Sequence, residues 1–155
     1  MAKILLKRFY FIICCCVVLL SCNDDTVEYS KPANGEDDSA VVYQGNIIMS
    51  DGFKQDTVKV DINYLNDSLM TIRLFQVRFA ENMPVSIDME WRNLAYTTND
   101  NKQIFSADSI VPFALGGYLE AFTCYNVNGY TTNDTLVFSF FCKDRTPSFC
   151  GIKQP

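Results

Sequence analysis

Through most of the chain beyond residue 40, apolar and polar side chains alternate with a period of two. Val58, Val60 and Ile62 alternate with Thr57, Lys59, Asp61 and Asn63. Val85, Ile87, Met89 and Trp91 alternate with Ser86, Asp88, Glu90 and Arg92, and Leu136, Phe138 and Phe140 with Val137 and Ser139. Successive side chains of a strand point to opposite faces, so each series places one face in a core and most of the other in water. Turn chemistry punctuates the runs at Asp51-Gly52, Asn66-Asp67, Asn99-Asp100-Asn101, Gly116-Gly117 and Asn128-Gly129. The pattern predicts about eight strands, over 41–49, 56–63, 68–79, 84–97, 103–108, 110–115, 118–126 and 134–142. No window carries a capped helix. An all-β barrel or closed sandwich follows, because closure leaves no exposed edge.

Two strands break their own alternation. Met70, Ile72 and Leu74 are followed by Phe75, Val77 and Phe79 on the other parity, and Trp91 by Leu94 and Tyr96. One extra residue exchanges the faces of a strand, so bulges are predicted near Leu74-Phe75 and near Arg92-Asn93. A change in which sheet each strand faces would explain the pattern equally well.

The first forty residues follow a different rule. Lys3, Lys7 and Arg8 precede an unbroken apolar run, Phe9 to Leu20. Twelve helical residues rise about 18 Å, too short for a hydrocarbon core roughly 30 Å thick. The basic start and short apolar run fit a signal peptide. Its end, Leu19-Leu20-Ser21-Cys22, resembles the lipobox of bacterial lipoprotein precursors. That resemblance implies cleavage before Cys22 and lipidation of its thiol, anchoring the mature chain to a membrane through several acyl chains. Residues 23–39 are poor in apolar side chains and hold Asp24, Asp25, Glu28, Glu36, Asp37 and Asp38 against Lys31 alone, which predicts a flexible acidic tether. Asp24 and Asp25, directly after the cysteine, resemble the surface-export signals of Bacteroidota lipoproteins.

Cleavage changes the inventory. The whole chain carries 13 basic and 18 acidic side chains. Loss of Lys3, Lys7 and Arg8 leaves a net charge of −8, with nine bases against twelve acids in residues 40–155. No basic face is available to displace phosphate counterions, so nucleic acid is not an expected partner. Cys14, Cys15 and Cys16 leave with the signal.

The chain has no histidine. Triads, Cys-His dyads and imidazole-bound zinc are therefore excluded. Asp88, Glu90 and Arg92 read as a solvated charge ladder rather than a catalytic pair, and no metal site is expected. Cys124, Cys142 and Cys150 remain in an export compartment that permits disulfides. A Cys142–Cys150 bridge would pin the C-terminal tail to the barrel, with Cys124 as the alternative partner and three reduced thiols as the competing reading. A turn at Asn128-Gly129 would keep Cys124 from lying opposite Cys142.

Seventeen aromatic residues fall in 39–155. Tyr43, Phe79, Trp91, Phe122, Phe138 and Phe140 are the candidate pocket lining, against a default of plain core packing. Phe141 and Tyr130, outside the alternation, are candidates for a partner patch. Asp-Ser/Thr-apolar triplets recur through the chain and resemble the O-glycosylation motif of exported Bacteroides proteins. Thr26 and Ser39, in the tether, are the best candidates.

The order GNIIM, VKVDI, LMTIRLFQVRFAENMPVSIDMEW, IFSADSIVPFALGGYLEAFT and DTLVFSFFC, over roughly residues 40–142, resembles the calycin-like (lipocalin-like) domains of Bacteroidota lipoproteins. The resemblance implies an eight-stranded antiparallel up-and-down β-barrel in residues 40–155 and carries over no catalytic residue and no cofactor. The chain lacks the Gly-x-Trp pattern that true lipocalins carry near the first strand. The function expected is a lipid-anchored, non-enzymatic binding module of the cell envelope, held in the outer membrane, with surface exposure implied by the export-signal resemblance of Asp24 and Asp25. Its partner would be a small apolar or glycan ligand or an envelope protein. A structural lipoprotein with a filled barrel is the alternative.

Overall fold

The structure, a computed structural model, describes residues 40–155. The lipidation candidate Cys22, the tether and the glycosylation candidates Thr26 and Ser39 lie outside the described residues.

Ten strands follow one another: β1 (Val41–Ile48), β2 (Lys54–Tyr64), β3 (Leu69–Val77), β4 (Ile87–Asn99), β5 (Lys102–Ile110), β6 (Phe113–Ala114), β7 (Gly117–Tyr118), β8 (Cys124–Thr131), β9 (Thr135–Cys142) and β10 (Ser148–Lys153). Eight of them form a closed antiparallel up-and-down barrel in the cyclic order β1-β2-β3-β4-β5-β8-β9-β10, with β10 returning to β1. In fold, this agrees with the calycin-like resemblance. Closure needs a close approach at the last seam. Gly45 faces Gly151 there, and a Cβ on Gly45 would fall on the backbone of Cys150 and Gly151.

The short hairpin β6–β7 is inserted between β5 and β8. Strand β5 pairs with β8 from Gln103 to Ile110 but with β4 only at its turn-side residues, Tyr96 to Asn99. At the other end of β4, Met89 and Glu90 pair with Ala114 and Phe113 of β6 instead. The hairpin therefore fills the gap that opens between β4 and β5.

Both predicted bulges are present. Between Leu74 and Val77 strand β3 carries one residue more than β4, with Gln76 at φ 50°; between Trp91 and Leu94 the excess lies on β4, with Asn93 at φ 54°. The faces exchange accordingly, so Leu74 and Val77 are both buried, as are Trp91 and Leu94, while Phe75 stays on the outside with Lys59 and Arg73 over its ring. Neighbouring strands satisfy the disturbed backbone of the first bulge. Asp88 accepts from Gln76 N–H (2.9 Å), and the Gln55 side chain bonds both Gln76 C=O (2.8 Å) and Arg78 N–H (2.7 Å).

Four expectations are corrected. Residues 110–115 and 118–126 are not two full strands; they hold β6, β7 and one turn of 3₁₀ helix, Glu120–Phe122. Asn128-Gly129 is not a turn but lies inside β8, because Gly129 is needed for packing: a Cβ there would meet the Phe105 ring and the Phe138 side chain. The segment after Pro147 is not a tail but β10, the closing strand. Val85, expected in the core, is 62 % exposed because β4 begins only at Ile87.

Aromatic side chains fill the middle of the barrel. Trp91 sets its indole edge-on to Phe138 (centroids 5.3 Å apart) and Phe140 (4.9 Å), and Phe138 stacks on Phe149 (5.0 Å). All four are at most 2 % exposed. Such rings bury large apolar areas and prefer these edge and offset geometries.

Candidate functional site: an apolar cavity at one end of the barrel

The two ends of the barrel are finished differently. At the end holding the start of β1 and the turns β2–β3, β4–β5 and β8–β9, polar side chains tie the strands together. Tyr64 Oη donates to Gln103 Oε1 (2.6 Å), Thr131 Oγ1 donates to the same oxygen (2.6 Å), and Tyr96 Oη donates to Asn66 C=O (2.9 Å). The Tyr64 and Tyr96 rings meet edge-on at 5.4 Å. Tyr43, 2 % exposed, belongs to this end. Burial, with smaller contributions from nearby Tyr64 and Asp134, pushes its phenol up to about 12 against an opposing hydrogen bond with Thr131. Burial raises Tyr64 as well. On the outside of this end, the loops 99–102 and 132–134 border an open polar groove of about 470 Å³.

The opposite end is open. It is bounded by the loop 78–86, the β6–β7 hairpin, the 3₁₀ turn and the two-residue turn between Cys142 and Arg145. Inside lies a cavity of about 490 Å³ with almost wholly apolar walls. Met89, Cys124 and Phe140, each at most 4 % exposed, line its deep part. Phe79 and Leu119 line its sides, and Val85, Leu115 and Phe122 its exposed rim. Charges at the rim are mixed in sign: Lys143, Asp144 and Arg145. Lys143 Nζ lies 4.1 Å from the centroid of the Phe122 ring. Arg145 pairs with the Asp51 carboxylate and donates to Phe79 C=O (3.0 Å), which fixes this turn against the mouth. The Asp51 carboxyl is held below its usual range, first by the backbone N–H of Phe53 and then by Arg145.

Leu115 is an informative rim residue. It and Gly116 have φ of 54° and 85°, the two positive values of a type I′ turn. That turn favours Asn, Asp or Gly at both positions, yet a leucine occupies the first and is 80 % exposed. The position holds a large apolar side chain at the mouth against local backbone preference.

Of the six aromatics expected to line a pocket, Phe79, Phe122 and Phe140 gather around the cavity. Tyr43, Trp91 and Phe138 do not: Tyr43 belongs to the closed end, and the other two are consumed in the filled middle. Met89, Leu119 and Cys124 also line the cavity; of the three, only Met89 stands in an alternation that marks it as inward. Phe141 lies opposite Tyr125 on the outer face of β8–β9, and Tyr130 is covered by Lys102 Nζ at 3.7 Å. The Asp88–Glu90–Arg92 ladder is structural. Glu90 takes Arg92 Nε (2.7 Å) and Arg73 Nε (3.1 Å), and Arg92 covers Phe113 at 3.6 Å.

The cysteines depart from the expected bridge. Register places Cys150 opposite Val137, five residues up β9 from Cys142, and facing outward. A Cys142–Cys150 bond would have to span about 16 Å at about 3.3 Å per residue, far beyond disulfide reach. Because the β8–β9 turn lies at 132–134 rather than at Asn128-Gly129, Cys124 and Cys142 are direct cross-strand partners. All three thiols are free. Among the described residues, no group of three acidic, cysteine or histidine side chains is placed to hold a metal.

No protein-family model, curated protein or solved structure is found to match this chain, so the functional reading rests on the geometry of the barrel and its open end.

Proposed function

We propose that this chain is a lipid-anchored, non-enzymatic binding module of the bacterial cell envelope, a calycin-like barrel that takes a small, largely apolar ligand through its open end. The observation that carries the reading is the apolar cavity of about 490 Å³ beneath a rim of exposed Val85, Leu115 and Phe122. Its volume falls within the range of small-molecule pockets, which are mostly apolar with few polar groups. The mixed rim charges supply no strong field for an anion or a cation. With no histidine in the chain, a catalytic reading has little support. Anchoring rests on the lipobox-like Leu19-Leu20-Ser21-Cys22, and with it the outer-membrane location.

The test uses an uncharged apolar fluorophore, N-phenyl-1-naphthylamine. Saturable one-to-one binding is expected, weakened at least tenfold in Met89→Trp or Leu119→Trp, which fill the cavity, with the far-ultraviolet circular dichroism unchanged. Absence of saturable binding, or binding indifferent to both substitutions, overturns the reading. Native mass spectrometry of protein from its own host then looks for the natural ligand. For the anchor, Cys22→Ala is expected to abolish sedimentation with membranes. The filled middle of the barrel favours a second reading, an interaction lipoprotein without a small ligand, which repeated bare masses would support.

A further inference from the structure

We propose that Cys124 and Cys142 are a reversible dithiol/disulfide pair built into the wall of the open end. The two are direct partners across β8 and β9. Cys142 spends both its backbone N–H (2.9 Å) and its C=O (3.1 Å) on Arg145, on the side away from β8. In an antiparallel ladder both groups of a residue point the same way, so toward β8 the pair is of the non-hydrogen-bonded kind. Its Cα atoms are then about 4.5 Å apart with the side chains at closest approach. That separation lies within the span a disulfide bridges.

Both sulfurs also converge on one acceptor. Cys124 Sγ lies 3.6 Å and Cys142 Sγ 3.4 Å from the carbonyl oxygen of Phe122. The indole N–H of Trp91 is buried with no hydrogen-bond partner among the described residues, and its nearness eases ionisation of the Cys124 thiol. Access is unequal. Cys124 is fully buried, whereas Cys142 is partly exposed at the mouth beside Lys143. The Cys142 thiol is the one drawn down in pKa, chiefly by its hydrogen bond with Cys124 and further by Lys143; Cys124 is pushed up.

The chemistry is thiol–disulfide exchange with a disulfide-bonded oxidant, R–S–S–R′. Cys142 loses its proton and its thiolate attacks one oxidant sulfur. The oxidant S–S bond breaks, R′S⁻ leaves with the bonding pair, and a mixed disulfide remains on Cys142. Cys124, deprotonated in turn, attacks Cys142 Sγ and expels RS⁻. The dithiol has lost two electrons and two protons; the oxidant has gained both as RSH and R′SH. The bond would join β8 to β9 covalently at the rim. This assignment stands whether or not the cavity takes a ligand.

The experiment equilibrates the intact chain with oxidised and reduced glutathione, quenches it by alkylation and maps the peptides by mass. Because Cys150 faces outward and away, Cys150→Ser keeps the pair and removes the third thiol of the barrel. In that variant the Cys124 and Cys142 peptides are expected to become linked, two hydrogens lighter than the reduced pair, and to separate again under excess reduced glutathione. Oxidation is also expected to quench Trp91 fluorescence in the unsubstituted chain and in Cys150→Ser, but not in Cys142→Ser. The proposal is overturned if both thiols of Cys150→Ser remain open to alkylation, if glutathione stays on Cys142 as the final product, or if the unsubstituted chain links Cys150 instead.

Discussion

The closed and open ends of this barrel are made from the same eight strands, and they differ in what finishes them. At the closed end, tight turns return each strand at once, and Tyr64, Thr131 and Gln103 converge in one hydrogen-bonded knot. At the open end the connections are long. The loop 78–86, the inserted hairpin and the 3₁₀ turn stand around the strand ends without covering them, and apolar side chains are left in water. Between the two ends lies a middle packed solid by Trp91, Phe138, Phe140 and Phe149. Stability is thus concentrated in the middle and the closed end, and the open end is free to serve something else. Exposed apolar surface that contributes little to folding marks an interaction site more often than an accident.

That contrast can be broken by substitution. The largest effect is expected in the middle: Trp91→Ala removes the ring on which Phe138 and Phe140 lean and should lower unfolding free energy by about 4 kcal/mol in urea titrations. At the mouth, Phe122→Ala should cost less than about 1 kcal/mol while weakening fluorophore binding. If the two losses of stability are equal, the division of labour proposed here fails.

At the closed end, Gln103→Leu leaves the hydroxyls of Tyr64 and Thr131 without their shared acceptor, at a cost of about 2 kcal/mol. Fluorophore affinity should hold within twofold. The same end should be sensitive to alkali. Tyr43 has a folded pKa of about 12, raised from 10.0, so the folded state holds its proton more tightly than the unfolded state. Its contribution is complete below pH 10 and is lost as pH climbs toward 12. Urea midpoints taken from pH 8 to 11.5 should therefore fall more steeply for the parent than for Tyr43→Phe.

One further substitution has an effect of the opposite sign. Leu115→Gly relieves a left-handed leucine and should raise stability by about 1 kcal/mol. It should also weaken fluorophore binding, because it strips the rim. Gain of stability with no change in binding would mean that the leucine serves nothing at the mouth.

Much of the barrel is legible in the alternation, including the two bulges, because a one-residue slip reverses parity and parity is written in the residue types. Height along the barrel is not written there. Parity places Tyr43, Trp91 and Phe140 inward alike, and only the folded register separates the closed end, the filled middle and the cavity. Asn128-Gly129 misled for a related reason. Glycine marks a turn when it relieves φ, but here it makes room for the Phe105 ring, and the two uses look identical in sequence. Moving that one turn to 132–134 is what brings Cys124 opposite Cys142. Strand β10 escapes the pattern because Gly151 is one of its two buried positions, while apolar Cys150 and Ile152 face outward.

The closing seam between β1 and β10 has a practical consequence. Tyr43 faces Lys153 across it, and Gln154 N–H reaches Val42 C=O at 2.8 Å, so the barrel's two flanks leave side by side from the end farthest from the mouth. The barrel can therefore be immobilised through either flank on a sensor surface with its opening presented to solution. Trp91, the sole tryptophan in the chain, sits inside it as a built-in optical reporter.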